Sequence, residues 1–321
     1  MIIVTGGAGF IGSNIVKALN ENGQEDILIV DNLTNSDKSR NLNGLAALDF
    51  IDKEDFIQDL KQGAFNNEEI KAVFHQGACS DTMEYNGKYM MQNNYEYSKQ
   101  LLLFCIERKI PFIYASSASV YGRGKNGFSE REDCEQALNM YAFSKLFFDR
   151  YVRRVLPRAR SQVVGLRYFN VFGPQENHKG RMASIVYQMY CQMKQEGCVK
   201  LFAGVDGFAD GEQRRDFIYV RDVVNINLFF LRQTGVSGIF NCGTGEANSF
   251  NLLAKGVLDY FKKGRIEYIP FPVSLTGKYQ SHTQADTEKL LAAGYQEGFT
   301  PIREAVTDYC RRLDETDGFF G

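Results

Sequence analysis

Short, nearly continuous apolar runs punctuate the first half of this chain at residues 2–4, 27–30, 72–75, 111–116 and 163–167. Runs of this kind, without polar alternation, read as strands buried on both faces. The stretches between them read as helices, beginning with 13–20. Strand–helix alternation predicts an α/β fold, a doubly wound parallel sheet with helices on both faces. Ligands are then expected at the carboxyl ends of the strands. After Asn170-Val171-Phe172-Gly173-Pro174 the pattern becomes irregular, and up to Gly211 the chain reads as loop-rich with one helix at 182–195. A strand at 239–241 reads as a return to the sheet. A helix at 249–261, a strand at 266–269 and a last helix at 302–313 follow. The expected division is a first domain over 1–170 with a return segment at about 214–244, and a smaller α/β domain from 171–213 and 245–313. The tail 314–321 is expected to fray, with Phe319-Phe320 as the one pair able to dock.

The first strand leads directly into Thr5-Gly6-Gly7-Ala8-Gly9-Phe10-Ile11-Gly12, and a helix follows. Strand, glycine turn and helix N-terminus together form a site for a dinucleotide pyrophosphate. Gly6 allows the tight turn, Gly9 lets backbone approach phosphate, and Gly12 lets the helix pack on the strand. An acidic residue is expected about 20 positions on, to hold ribose hydroxyls, and Asp31 stands there after the second strand.

The chain has 321 residues, room for one large or two ordinary domains. Its net charge of −2 gives no electrostatic case for nucleic acid or an anionic membrane. The seven cysteines form no C-x-x-C pair, and with three histidines no metal site is expected. Scattered cysteines fit reduced thiols, and neither a signal peptide nor an apolar run near 18 residues is evident. The expectation is a cytoplasmic protein.

Tyr141 and Lys145 lie four residues apart, on one face of a helix. An ammonium near a phenol, together with a cofactor cation, is expected to lower the phenol's pKa toward the working pH. Such a phenol can exchange a proton with an alcohol that gains or loses hydride. Tyr95–Lys99 and Tyr190–Lys194 share the spacing, so position has to discriminate. Tyr141 follows Ser117 by 24 residues, and Ser117 stands at the end of the fourth of the five strand-like runs, where its hydroxyl can polarise the same substrate oxygen. The other two pairs read as helix-surface pairs.

These pieces, with HQGA (75–78), SSASVYG (116–122), RYFNVFGP (167–174) and RDFIYVRDV (215–223), make the chain resemble the extended short-chain dehydrogenase/reductase family over nearly its whole length. The resemblance implies a Rossmann-type fold, a resident nicotinamide cofactor and a nucleotide-sugar substrate. Ser117, Tyr141 and Lys145 match the family's catalytic triad, and Arg215 matches an arginine that grips the substrate diphosphate, as suits a guanidinium. Members that dehydrate sugars carry Asp-Glu after the catalytic hydroxyl. Here Ala118 and Ser119 follow Ser117, which disfavours water elimination.

The segment 173–184, with 87–99 and GKYQSHTQAD (277–286), is similar to the ADP-heptose 6-epimerases. That similarity implies interconversion of the two C6 epimers of ADP-glycero-manno-heptose, a precursor of the lipopolysaccharide inner core. It also brings Lys179 into the site as a second acid/base opposite Tyr141. At cofactor positions the resemblance implies Gly6, Gly9, Phe10, Ile11, Gly12, Asp31, Asn32, Lys38, Lys53, Gln76, Gly77, Ala78, Cys79, Ser80, Asn93, Tyr141, Lys145, Val171 and Lys179. At substrate positions it implies Asn170, Arg181, Gln188, Phe202, Ala203, Gly204, Val205, Arg215 and Tyr279. Arg181 stands where a small hydroxyl residue is expected, Gln188 replaces a histidine, and the insert 208–213 is longer than the pattern.

Asp31 alone argues for NAD, since a carboxylate repels a 2′-phosphate, whereas Lys38 and Lys53 and the resemblance favour NADP. His75 reads as structural, His178 as positioning the Lys179 loop, and His282 is unassigned. The resemblance suggests a homo-oligomer, with a pentamer among the candidates. A UDP-sugar 4-epimerase is the alternative on the same scaffold; the 177–180 segment argues against it. A non-catalytic nucleotide sensor would be expected to lose Tyr141 or Lys145.

Overall fold

The structure, a computed structural model, describes residues 1–273 and 279–320. Gly277 and Lys278 of the 277–286 stretch lie outside the described residues. In chain order the strands are β1 (Ile2–Thr5), β2 (Ile27–Asp31), β3 (Asp49–Asp52), β4 (Ala72–His75), β5 (Phe112–Ser117), β6 (Val163–Tyr168), β7 (Asn170–Phe172), β8 (Cys198–Phe202), β9 (Arg214–Tyr219), β10 (Gly238–Cys242), β11 (Ala247–Ser249) and β12 (Arg265–Ile269). The helices are α1 (Phe10–Glu21), α2 (Lys53–Gln62), α3 (Gly87–Met91), α4 (Tyr97–Arg108), α5 (Met140–Val155), α6 (Ile185–Glu196), α7 (Val220–Arg232), α8 (Phe250–Phe261), α9 (Glu288–Ala292) and α10 (Ile302–Thr316).

Seven strands form one parallel sheet in the order β10-β6-β5-β4-β1-β2-β3. Its interior strands are apolar because helices cover both faces. Ile15, Val16 and Leu19 of α1 and Ile226 and Phe230 of α7 pack on one face. Leu101, Leu102 and Cys105 of α4 and Phe148 and Val152 of α5 pack on the other. A second core joins α6, α8 and α10 around β8 and β9 and takes in Phe10 at the head of α1. That contact fixes the glycine turn against the rest of the chain.

Four expectations need correction. The helix read from residue 182 starts at Ile185, because the Ser184 hydroxyl accepts the Tyr187 N–H and caps it. The region read as loop-rich closes with β8, which pairs in parallel with β12. Within the return segment, β9 stays out of the large sheet and joins β7 and β11, while β10 does return. The described part of the tail, up to residue 320, is packed rather than frayed: α10 runs on to Thr316 and Phe319 is buried, with the Arg40 guanidinium over its ring.

Candidate active site

The sheet order reverses direction at β1, between β2 and β4, so a crevice opens at the carboxyl ends of these strands. Their registers align Thr5 with Val30 and with His75, which brings Gly6, Asp31 and Gln76 together. Gly6 has φ +68°, and a Cβ there would lie 2.5 Å from the Gly77 nitrogen. A Cβ on Gly12 would lie 2.1 Å from the Gly6 carbonyl. α1 begins after Gly9 with no side chain capping it. An uncapped helix N-terminus over a glycine turn fits a pyrophosphate.

From this turn a cleft of about 750 Å³ runs across the sheet edge. It brings together Gly6, Gly9, Phe10, Ile11 and Gly12 of the turn, Asp31, Asn32 and Lys38 beside β2, and Lys53 and Asn93. Residues 76–80, then Ser117, Tyr141 and Lys145, and finally Asn170, Val171 and Lys179 complete the expected cofactor and catalytic residues. At one end the Lys38 ammonium donates to the Asp31 carboxylate at 2.8 Å, and Asp31 also accepts the Ala8 N–H. Lys53 donates to the Asn93 side chain at 2.6 Å. Buried Asn94, in a π-helical turn (Gln92–Glu96), grips both the N–H and the carbonyl of Cys79 and donates to Ser144 on α5. The 76–80 loop is thereby tied to the helix that carries Tyr141. His75 is buried between the Thr5 and Ser98 hydroxyls, and its pKa is pushed down to about 3, chiefly by burial.

α5 starts where the Asn139 side chain accepts the Ala142 N–H, so Tyr141 and Lys145 occupy its first turns. Lys145 is buried and donates to the Ala115 carbonyl of β5 at 2.8 Å. Burial lowers its pKa to about 8, and the Asp149 carboxylate opposes that shift. Burial raises the Tyr141 pKa and a hydrogen bond with Ser117 pulls the other way, whereas the expected lowering also draws on the charge of a bound cofactor. The other two Tyr–Lys pairs lie outside the cleft. Lys99 sits over the Tyr95 ring, whereas Tyr190 and Lys194 both bind Asp314.

Lys179 also lines the cleft, from a 3₁₀ segment (Asn177–Met182). Its ammonium lies 4.9 Å from the Phe10 ring centroid and 3.8 Å from the buried Glu176 carboxylate. Neighbouring His178 is tied by its ring to Asn41 and by its carbonyl to Asn35, and burial lowers its pKa to about 4.

Eight expected substrate residues do not line this cleft. Arg215 and Tyr279 face one another, with the guanidinium 4.8 Å from the ring centroid. Phe271 links Tyr279 to Phe202, at the head of the 202–205 stretch. Arg215 is buried without a carboxylate among the described residues, its hydrogen bond going to the Arg214 carbonyl, and burial lowers its pKa to about 10. A desolvated guanidinium of this kind suits an anion. Ala203 donates to the Ile269 carbonyl, Gly204 donates to Asp210, and Val205 accepts from Phe208. Arg181 pairs with Asp81 at the cleft's rim, and Gln188 donates to the Ala183 carbonyl. His282 rests against the Phe128 ring.

Asp149 escaped the sequence reading. Fully buried, it accepts from Tyr114, Ser116 and Arg167. The signal was available, since Tyr141, Lys145 and Asp149 recur every four residues along one helix face. Phe217 and Phe250, which also line the cleft, carry no comparable sequence signal.

Residues 2–243 match the NAD dependent epimerase/dehydratase family. The chain belongs to this family. It therefore uses a nicotinamide cofactor, and the glycine turn and Asp31 are built to receive one. The chain is 55% identical over 321 residues to the ADP-L-glycero-D-manno-heptose-6-epimerase of Brachyspira hyodysenteriae, covering 99% of both proteins. It superposes on the crystal structure of the Helicobacter pylori ADP-L-glycero-D-manno-heptose-6-epimerase with a TM-score of 0.84 and 32% identity, over 98% of this chain and 96% of that one. The Thermus thermophilus UDP-glucose 4-epimerase in complex with NAD gives a TM-score of 0.80 at 26% identity, over 98% and 99%. Among the described residues no helix is long and apolar enough to cross a membrane.

Proposed function

We propose that this protein is an isomerase that interconverts ADP-D-glycero-D-manno-heptose and ADP-L-glycero-D-manno-heptose by oxidising and re-reducing carbon 6. The observation that supports the reading is that Tyr141, from α5, and Lys179, from the 177–182 segment, line the same cleft. A nicotinamide, when bound there, would supply the hydride acceptor and donor. The chain's own groups handle the proton. Oxidation of the carbinol frees one proton, which a phenolate or a neutral amine can take. Inversion requires the ketone to present its opposite face, which carries its oxygen away from the group that took the proton. A second group must then protonate that oxygen. Tyr141, polarised by Ser117, serves one epimer and Lys179 the other, while Glu176 and Phe10 hold the Lys179 ammonium at the cleft wall. Arg215, stacked on Tyr279, takes the diphosphate of the ADP moiety. The segments 171–213 and 245–313 supply the substrate side, and 1–170 with 214–244 the cofactor side. NADP is the cofactor we assign, because Lys38 neutralises Asp31 beside the ribose position. Localisation in the cytoplasm and assembly as a homo-oligomer belong to the same reading.

Lys179→Met tests the assignment. It keeps most of the side-chain bulk and removes the proton-bearing group, so turnover should fall by roughly 10²–10⁴ at saturating ADP-heptose. Tyr141→Phe should fall comparably, with the opposite epimer retaining hydride transfer. A Lys179 that only binds phosphate would raise KM and spare kcat. Full rescue by substrate therefore refutes the catalytic role.

A further inference from the structure

The loop that carries Lys179 is anchored by the end of the chain. The Gln175 N–H donates to the Gly318 carbonyl at 2.8 Å, and the Asn177 side chain donates to the Asp317 carbonyl at 2.7 Å. Gly318 holds φ +77°, and a Cβ there would lie 2.7 Å from Leu313 and 3.2 Å from the Asn177 side chain. The turn is locked internally, with the Gly318 N–H on the Arg312 carbonyl and the Thr316 hydroxyl donating to the Phe319 carbonyl. Phe319 is buried under the Arg40 guanidinium, 3.9 Å from its centre, and the Lys17 ammonium covers Phe320. Arg40 lies in the 36–42 segment that also carries Lys38 and Asn41. From that side Asn41 donates to the Gln175 carbonyl and to the His178 ring. The stretch 175–178 is thus held between the 35–41 segment and the tail.

We propose that residues 317–320 are a positioning strap for Lys179, with Asp317, Gly318 and Phe319 as positioning residues for one of the two proton transfers. This rests on the assignment of Lys179 as an acid/base. The strap touches neither β5 nor α5 in any hydrogen bond, ion pair or ring contact found among the described residues, so Ser117, Tyr141 and Lys145 keep their places without it. Its loss should then damage one epimer's chemistry and spare the other's. A misplacement of about 1 Å at a reacting group can cost on the order of 10²-fold in rate. Uniform destabilisation would instead affect both epimers alike.

The test uses the full-length protein, a variant ending at Thr316, and the milder variants Phe319→Ala and Asn177→Ala. Each is mixed with either heptose epimer separately, and hydride transfer is followed by nicotinamide absorbance in a single turnover. Lys179→Met identifies the epimer that depends on Lys179. The proposal expects the strap variants to slow that same epimer by about 10–10²-fold and the other by less than about 3-fold. Equal slowing of both epimers, or no slowing, overturns it. If the shortened chain fails to fold, the two point variants give the same reading. If Lys179→Met itself affects neither epimer, the assignment of Lys179 falls. A Lys179→Met defect with unaffected strap variants removes the strap alone.

Discussion

At Lys38 two opposed requirements meet. Asp31 is placed to hold ribose hydroxyls, yet its carboxylate already accepts from the Lys38 ammonium and from two backbone N–H groups. A 2′-phosphate next to an unpaired carboxylate would be repelled, whereas next to this pair it finds a cation within reach. Lys38→Glu should therefore shift the preference from NADP toward NAD by about 10–10²-fold, the worth of one charge-assisted hydrogen bond. Competitive reloading of the cofactor-stripped protein, with the bound nucleotide identified by mass spectrometry, checks this. An unchanged NADP preference would contradict the role given to Lys38. The sequence exposed the residues of this end because a strand, a glycine turn and an acid at a set distance leave few alternatives. It did not expose the pairing of Lys38 with Asp31, which depends on how the 36–42 turn folds back.

Among the elements, α5 carries the most. Its buried face presents Lys145 to the cleft and Asp149, one turn further on, to Arg167, Tyr114 and Ser116. Arg167 also reaches Glu135, as does Arg153. This buried network clamps α5 to β5 and β6, and its carboxylate favours the charged form of Lys145. Removing the carboxylate in Asp149→Asn takes away the largest influence opposing desolvation, so the Lys145 pKa should drop below about 8. Where that group sets a limb of the kcat/KM pH profile, the limb should move to lower pH, and a move to higher pH would contradict the assignment. The variant should also lose about 3–5 kcal/mol of stability, since Arg167 keeps its charge with fewer partners. The sheet strands and long helices were legible because their periodicity is decided locally. β3 (DFID), β7 (NVF), β8 (CVKLF), β9 (RRDFIY) and β11 (ANS) were not, since polar or charged residues interrupt each of them and none is a continuous apolar run.

For the whole molecule, the same burial that shapes the cleft makes it sensitive to acid. His75 and His178 are held neutral, with pKa values near 3 and 4 against an ordinary 6.5. In the unfolded chain both take up protons below about 6.5, and in the folded one they resist until far lower pH. Through these two rings the unfolded state binds more protons, a contribution that lowers stability as pH drops from about 6.5 toward 4 and that the raised pKa values of the Glu130, Asp216 and Asp222 carboxyls oppose. Urea denaturation at a series of pH values isolates the His178 share, since His178→Gln should reduce the slope by about one proton. An unchanged slope in that variant would contradict the neutral state of the His178 ring.

The central claim is that carbon 6 of an ADP-heptose is inverted by oxidation and reduction within one cleft, with Tyr141 and Lys179 sharing the proton work. The most direct measurement is conversion of ADP-D-glycero-D-manno-heptose by the purified protein in deuterated water, with product configuration and isotope read at carbon 6 by NMR. The account predicts the L-glycero epimer with ordinary hydrogen retained at carbon 6, because that hydrogen moves as hydride and is never exposed to solvent. Deuterium at carbon 6, or turnover of a UDP-hexose with no conversion of the ADP-heptose, would contradict it.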